Sequence, residues 1–283
     1  MHPVLFSFDF FGLKAEPISL HTYGLLIATG FLFAIVLSKR QAEREDEDPE
    51  RIVDLGFYVL LAGLIGARIV FILTKLDEYV RDPLAVVMFW RGGLVWYGGF
   101  IGAAGFVWYY CKKHRLNYWK FADLTIPYVA MAHAFGRLGC VAAGCCFGQP
   151  TDQPWGIVFP VGSPAQQAHQ SAGAIGYGDL ALPIHPTQLY EAGAEMMMFW
   201  ILIAVRRHKS FHGQLMLIWL ACYPVIRSII EMFRGDSERG IYIISTSQWI
   251  SIGVAAFAIW VYFHLRKQRR NAPSLENGSA VSG

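Results

Sequence analysis

The chain has 283 residues, 54% of them hydrophobic and 16% charged, where soluble domains carry about a quarter charged. A mean hydropathy of +0.36, with 9 Trp, 13 Tyr and 20 Phe, excludes a typical soluble globular protein and points to a chain whose solvent is largely lipid. The net charge of +3 is spread without a separate basic block, which argues against nucleic acid as a partner, and five cysteines lying in or beside apolar stretches argue against a disulfide scaffold.

A membrane-spanning helix needs about 20 predominantly apolar residues, and seven stretches have that character. The first, residues 18–38, opens on His21 and Tyr23 and is followed by Lys39 and Arg40, a positive flank on the side opposite to that of a cleavable signal peptide. An acidic run over 43–50 reads as solvated or disordered. The second stretch, 53–73, contains Arg68. Residues 82–93, with Phe89 and Trp90, are too short to span and are expected in the interface. The third stretch, 94–111, begins at Trp96 and Tyr97. The fourth, 121–147, reads His133-Ala134-Phe135-Gly136-Arg137-Leu138-Gly139-Cys140 and continues through Gly144, Cys145 and Cys146 to Gly148. Its glycines permit close helix contact or backbone approach to a ligand. Cys140, Cys145 and Cys146 read either as small polarizable packing residues or as a redox or metal feature needing further ligands. Residues 148–187, rich in Gly, Pro, Ser and Gln, form the one long connection, a lid or a small packed cap.

The fifth stretch, 188–205, is announced by His185-Pro186-Thr187-Gln188-Leu189-Tyr190-Glu191. Thr187 can cap the helix after Pro186, and Glu191 in the first turn suits the helix dipole. In the sixth, 214–233, Tyr223, Arg227, Glu231 and Arg234 fall within an arc of about 80° at 100° per residue. Two guanidinium groups thus share one face with a carboxylate between them, and Arg227 and Arg234 can each reach Glu231. That leaves donors for an anion such as a phosphodiester, unless the three close into an ion-pair ladder. The seventh stretch is 248–265, followed by a basic segment and a polar tail to residue 283.

Fifteen Lys and Arg, from Lys39 and Arg40 to Arg269 and Arg270, fall in one set of connections and six in the other, which places the N-terminus outside and the C-terminus inside. With that orientation His21, Tyr23, Arg68, Trp96, Tyr97, Arg137, Tyr190, Glu191, Arg227, Glu231 and Arg234 all fall in the outer half of the membrane. Buried charges cost about 2.5–3.5 kcal/mol each on the insertion scale, so their gathering in one leaflet suggests a site.

These pieces, together with Gly92-Gly93-Leu94-Val95-Trp96-Tyr97-Gly98-Gly99-Phe100-Ile101-Gly102 and Ser19-Leu20-His21-Thr22-Tyr23-Gly24, resemble the bacterial prolipoprotein diacylglyceryl transferases over residues 17–265. The resemblance implies an enzyme that moves the diacylglyceryl group of phosphatidylglycerol to the lipobox cysteine of exported preprolipoproteins, forming a thioether and releasing glycerol phosphate. It implies no metal or cofactor. It carries over Arg137, Arg227, Glu231 and the position of Tyr97 as catalytic, and Tyr23, Gly136, Gly139, Tyr223 and Arg234 as substrate-binding. His21, His185, Tyr190 and Glu191 join the substrate-binding set from the matching segments. The chain departs from the family pattern where Tyr97 replaces a histidine and where Cys140, Ala143 and Cys145 replace Asn, Asn and Glu. A substrate thiol with a pKa of about 8.5 then needs arginine electrostatics or another residue for its activation.

The expected architecture is all-α. It comprises a single transmembrane domain over 1–265, with seven spans and a periplasmic cap at 148–187, and a cytoplasmic tail over 266–283, in a bacterial inner membrane. The competing readings are a phospholipid- or anion-binding or transport protein on the same scaffold, and a transferase with a different acceptor.

Overall fold

The computed structural model describes residues 4–8, 18–87, 93–235 and 246–271. The chain is predominantly helical. The long helices are α1 (Thr22–Arg44), α2 (Pro49–Thr74), α4 (Trp96–Lys113), α5 (Tyr118–Ala143), α7 (Thr187–Arg206), α8 (Gln214–Glu231) and α9 (Thr246–Asn271), with short α3 (Leu76–Arg81) and α6 (Pro164–Ser171) between them. Five of these, α1, α2, α7, α8 and α9, are long and apolar enough to cross a membrane. The stretches read as the third and fourth spans are also helices, α4 and α5; Asp123, His133 and Arg137 dilute the apolar character of α5. Leu32, Ile65, Leu73, Trp200 and Trp260 are among the many large apolar side chains left exposed on these helices, a surface suited to lipid and not to water.

One expectation fails at the start of the chain. Residues 18–21 are not helical but pair as a strand, β2 (Ile18–His21), antiparallel to β1 (Val4–Phe8). Ile18-Ser19-Leu20-His21 alternates apolar and polar, a period of two that a strand satisfies and a helix does not. His21 therefore closes a strand, and Tyr23 sits at the start of α1.

The chain forms two compact units, residues 35–124 and residues 1–34 with 125–283. In the first, α2 and α4 cross backbone to backbone at their glycines: a Cβ on Gly66 would collide with the carbonyl of Gly98, and one on Gly102 with that of Ala62. Arg68 is buried here and donates to the carbonyls of Ala85, Val86 (3.1 Å) and Gly93 (3.2 Å). It fastens the connection before α4 instead of facing a ligand, so its depth in the span has a structural cause. The acidic run is likewise no loose segment. Asp48 caps α2 by accepting from the Glu50 amide at 3.0 Å, Lys39 meets Glu50 at 2.6 Å, and Lys120 meets Glu47 at 2.6 Å.

In the second unit α7 packs on α8 and α8 on α9. Ile126, Met198, Leu202 and Leu215 form a core shared by α5, α7 and α8. The long connection, expected as a lid or cap, packs on itself: Phe159, Ala165, Ala181 and Ile184, with Phe147 just before it, make one apolar core. Short backbone pairings then join three helix ends. Gly148 donates to His185 (3.0 Å), Gln149 to Phe233 (2.8 Å) and Gly235 to Phe147 (3.2 Å). Gly148 is required at this crossing, because a Cβ there would strike the His185 carbonyl. Helix α9 continues through Arg266, Lys267, Arg269 and Arg270.

Two outcomes follow from this packing. Gly66→Ala should lower stability by about 1–3 kcal/mol through overpacking, whereas Gly105→Ala, with nothing within 4 Å, should be neutral or gain up to about 1 kcal/mol; thermal unfolding in detergent compares them. In the cap, burial pushes the His169 imidazole below its ordinary pKa, and its Nδ1 accepts from the Leu182 amide at 3.2 Å. Its folded form binds protons more weakly than the unfolded chain. Cap stability should therefore be complete above about pH 6.5 and fall as pH drops through that value, levelling off below the lowered folded pKa. Amide exchange over residues 164–184, corrected for intrinsic rates, should show this fall and lose it in His169→Gln.

Candidate functional site

Helices α5, α7 and α8 bring polar groups to one end of the second unit because the C-terminal portions of α5 and α8 lie beside the N-terminal portion of α7. Arg137 is four residues after His133 on α5, and Glu195 four after Glu191 on α7, so each helix presents two polar groups on one face. Arg137 Nη2 meets Glu191 Oε1 at 3.0 Å, and the Tyr223 hydroxyl donates to the same oxygen at 3.1 Å. Arg137 Nε donates to His133 Nε2 at 3.3 Å. A guanidinium can only donate, so Nε2 is the acceptor and the proton sits on Nδ1, which meets Glu195 Oε1 at 2.8 Å. Trp219 Nε1 donates to the other Glu195 oxygen at 3.1 Å and its ring stacks on Tyr223 at 5.1 Å. Both carboxylates are almost fully buried, and each has charged or hydrogen-bonding partners that offset its desolvation.

Two readings of α7 change with these contacts. Thr187 is not the cap: Pro186 holds that position, and the Thr187 hydroxyl donates to the Cys146 carbonyl at 2.9 Å. Glu191 lies beyond the first turn, so Arg137 and Tyr223, not the helix dipole, account for it.

Arg227 Nη2 meets Glu231 at 2.8 Å, one turn along α8. Arg227 Nη1 is buried and has no hydrogen-bond partner among the described residues. Buried donors are normally satisfied. Arg234 sits in the backbone crossing, opposite Gly148, with its carbonyl accepting from Gln149 at 3.3 Å. Gly139 receives Tyr23: a Cβ there would lie 3.0 Å from its ring. At Gly136 a Cβ would meet nothing within 4 Å, so its lack of a side chain leaves open space. His185 and Tyr190 form a separate cluster on the cap, with His185 Nδ1 3.1 Å from the Tyr190 hydroxyl and Trp155 Nε1 donating to that hydroxyl at 2.8 Å. Phe233 closes it through ring contacts with both. His21 is exposed at the end of β2, and the Tyr97 side chain lies outside the described residues.

Sequence reasoning read His133 in its motif without giving it a role and overlooked Glu195 and Trp219. Glu195 had a signal, a carboxylate inside an apolar stretch, which by the cost of burying charge demands a partner. The three cysteines gather as well. The sulfurs of Cys140, Cys145 and Cys146 all lie within 4.8 Å of one another, at the end of α5.

Removing Glu191 should leave Arg137 buried and uncompensated. Glu191→Ala is expected to lose on the order of 3 kcal/mol of stability, and the double variant with Arg137→Met should recover part of it, since the stranded charge is gone. Thermal unfolding of the four-member cycle checks this; additive losses would mean that the two side chains do not act as a pair.

The family model for prolipoprotein diacylglyceryl transferases matches residues 11–264. A phosphatidylglycerol–prolipoprotein diacylglyceryl transferase of Clostridium tetani is 31% identical over 262 residues, covering 93% of this chain and 97% of the relative. Proteins of the same description from Vibrio vulnificus and Solidesulfovibrio magneticus are 33% and 30% identical, each over 92% of this chain and 91% and 95% of their own lengths.

Proposed function

The chain belongs to the prolipoprotein diacylglyceryl transferase family, and on that premise we propose that it transfers the diacylglyceryl group of phosphatidylglycerol to a prolipoprotein cysteine. The match over residues 11–264 carries this reading. In the reaction the substrate thiolate attacks the glycerol carbon that bears the phosphate. A C–S bond forms, the C–O bond to phosphate breaks, and glycerol phosphate departs. The thiol proton is lost before or during attack.

The residue roles follow from what each side chain has left to offer. Arg227 Nη1 is a buried donor without a partner among the described residues, suited to a phosphate oxygen, while Glu231 fixes the other end of its fork. Arg137, oriented by Glu191 and His133, supplies the second cation. Charge grows on the phosphate as the C–O bond breaks, and preorganised cations in a water-poor site favour that state over the bound diester. The same field favours the substrate thiolate over the thiol. His133 is a positioning residue, holding Arg137 while Glu195, itself held by Trp219, holds it. Tyr223 and Tyr23 complete the polar wall, Gly139 admits the Tyr23 ring, and Gly136 leaves room for the lipid. Tyr97 hydrogen-bonds lipid or thiol, and His185, Tyr190 and Arg234 border the cap side. The lipobox of an exported preprolipoprotein would supply the cysteine.

We place all seven long helices across a bacterial inner membrane, with the N-terminus and the 148–187 cap on the periplasmic side and the segment after residue 265 in the cytoplasm. The distribution of Lys and Arg supports that orientation. It brings the site to the leaflet reached by an exported substrate. Residues 1–265 then act as one transmembrane domain.

A reconstituted assay with phosphatidylglycerol and a synthetic lipobox peptide tests the proposal. The peptide should gain a diacylglyceryl mass in step with glycerol phosphate release, and only when its cysteine is present. Arg227→Ala should reduce kcat/KM by about 10²–10³-fold, with Arg227→Lys less impaired. Lipid binding without adduct or release would move the protein to the binding or transport class, and release without the peptide adduct would indicate a different acceptor.

A further inference from the structure

The cysteine cluster has no part in the transfer chemistry above, yet its geometry is organised. Cys140 stands on the last turn of α5 and is buried, while Cys145 and Cys146 follow the helix end and are half-buried. Gly144, at φ +70°, turns the chain back, and the Cys145 amide returns to the Cys140 carbonyl at 3.2 Å. Cys146 itself has a φ of 61°, a left-handed conformation uncommon for a residue with a side chain, and one that surrounding contacts must enforce. Those contacts come from the start of α7. Thr187 holds the Cys146 carbonyl at 2.9 Å, and Gln188 Nε2 holds that of Cys145 at 2.8 Å. Two hydrogen bonds from another helix thus fix the backbone that carries two of the three sulfurs.

We infer that Cys140, Cys145 and Cys146 form a three-thiolate site for a soft monovalent cation of the copper(I) class. Metal–sulfur bonds of about 2.3 Å around one ion place three sulfurs roughly 3.8–4.0 Å apart. The three Sγ atoms already lie within 4.8 Å of each other, about 1 Å from that spacing. Thiolates select soft ions. No fourth His, Cys, Asp or Glu among the described residues joins the group, and three sulfur donors suit copper(I) better than zinc, whose structural sites take four. Binding would form three metal–sulfur bonds and release three thiol protons, with no change of oxidation state, leaving a doubly negative centre. The guanidinium charges of Arg137 and Arg234 act on Cys146 and offset that charge. The Thr187 and Gln188 hydrogen bonds fix the backbone that carries two of the donors.

The test uses the reduced full-length protein in detergent, titrated anaerobically with copper(I) against a colorimetric copper(I) chelator. One ion per chain is expected, held at least tenfold more weakly by Cys146→Ser and by Cys140→Ser. The triple serine variant, which keeps Cys111 and Cys222 as background thiols, should bind none, and absorption at the copper edge should report sulfur-only coordination. Single variants are read first, so that a misfolded triple variant does not decide the outcome. Binding that is absent, or that persists unchanged in the single variants, overturns the site. Recovery of two of these cysteines as a disulfide that re-forms once reductant is removed overturns it too, and assigns the cluster to thiol pairing.

Discussion

A guanidinium held among apolar helices is tolerable only if acceptors meet it there, and in the site carboxylates supply them. Arg137 meets Glu191 at 3.0 Å, and hydrogen bonds run on through His133 to Glu195 and Trp219, with Tyr223 donating back to Glu191. Each polar group satisfies its neighbour, which is what allows a buried polar network to persist. The network ties α5, α7 and α8 at the level where their apolar core of Ile126, Met198, Leu202 and Leu215 gives way to polar residues. Burial of the apolar core sets the helices side by side; the ion pairs set their rotation.

The arginines divide their work according to what surrounds them. Arg68 spends its donors on the carbonyls of Ala85, Val86 and Gly93 and serves the fold. Arg137 is held in one place by a carboxylate on Nη2 and an imidazole on Nε. Arg227 has one buried nitrogen with no partner among the described residues. A phosphate ligand would meet that remaining valence, and the family's chemistry requires cations where a phosphate leaves. The backbone crossing at Gly148, His185 and Arg234 supports both arginine-bearing helices by joining the end of α5, the start of α7 and the end of α8.

The cap and the cysteine loop are stabilised by the same element. The first residues of α7 anchor the carbonyls of Cys145 and Cys146, while the segment before it pairs with Gly148 and Gln149. Thr187 would have been a good helix cap by local chemistry, but a carbonyl from a distant segment competes for its hydroxyl. Local propensity yields to tertiary contact here because a buried carbonyl left without a donor costs more than an uncapped helix end, whose amides can be met in other ways.

Apolar length and charge made the helices legible in the sequence, since the solvent of a lipid-facing helix writes itself into every turn. The i, i+4 spacing of Arg227 and Glu231 made that pair legible too, because both lie on one helix. Periodicity also marks residues 18–21 as a strand, though an apolar count over a long window hides so short an alternation. What the sequence could not contain is the pairing across helices. Nothing near Arg137 in the chain designates Glu191, nothing near His133 designates Glu195, and nothing in the spacing of Cys140, Cys145 and Cys146 states that their sulfurs converge. Those relations depend on helix rotation and on the left-handed turn at Cys146, which only the packed structure decides, because they are set by the joint burial of several helices and not by any one of them.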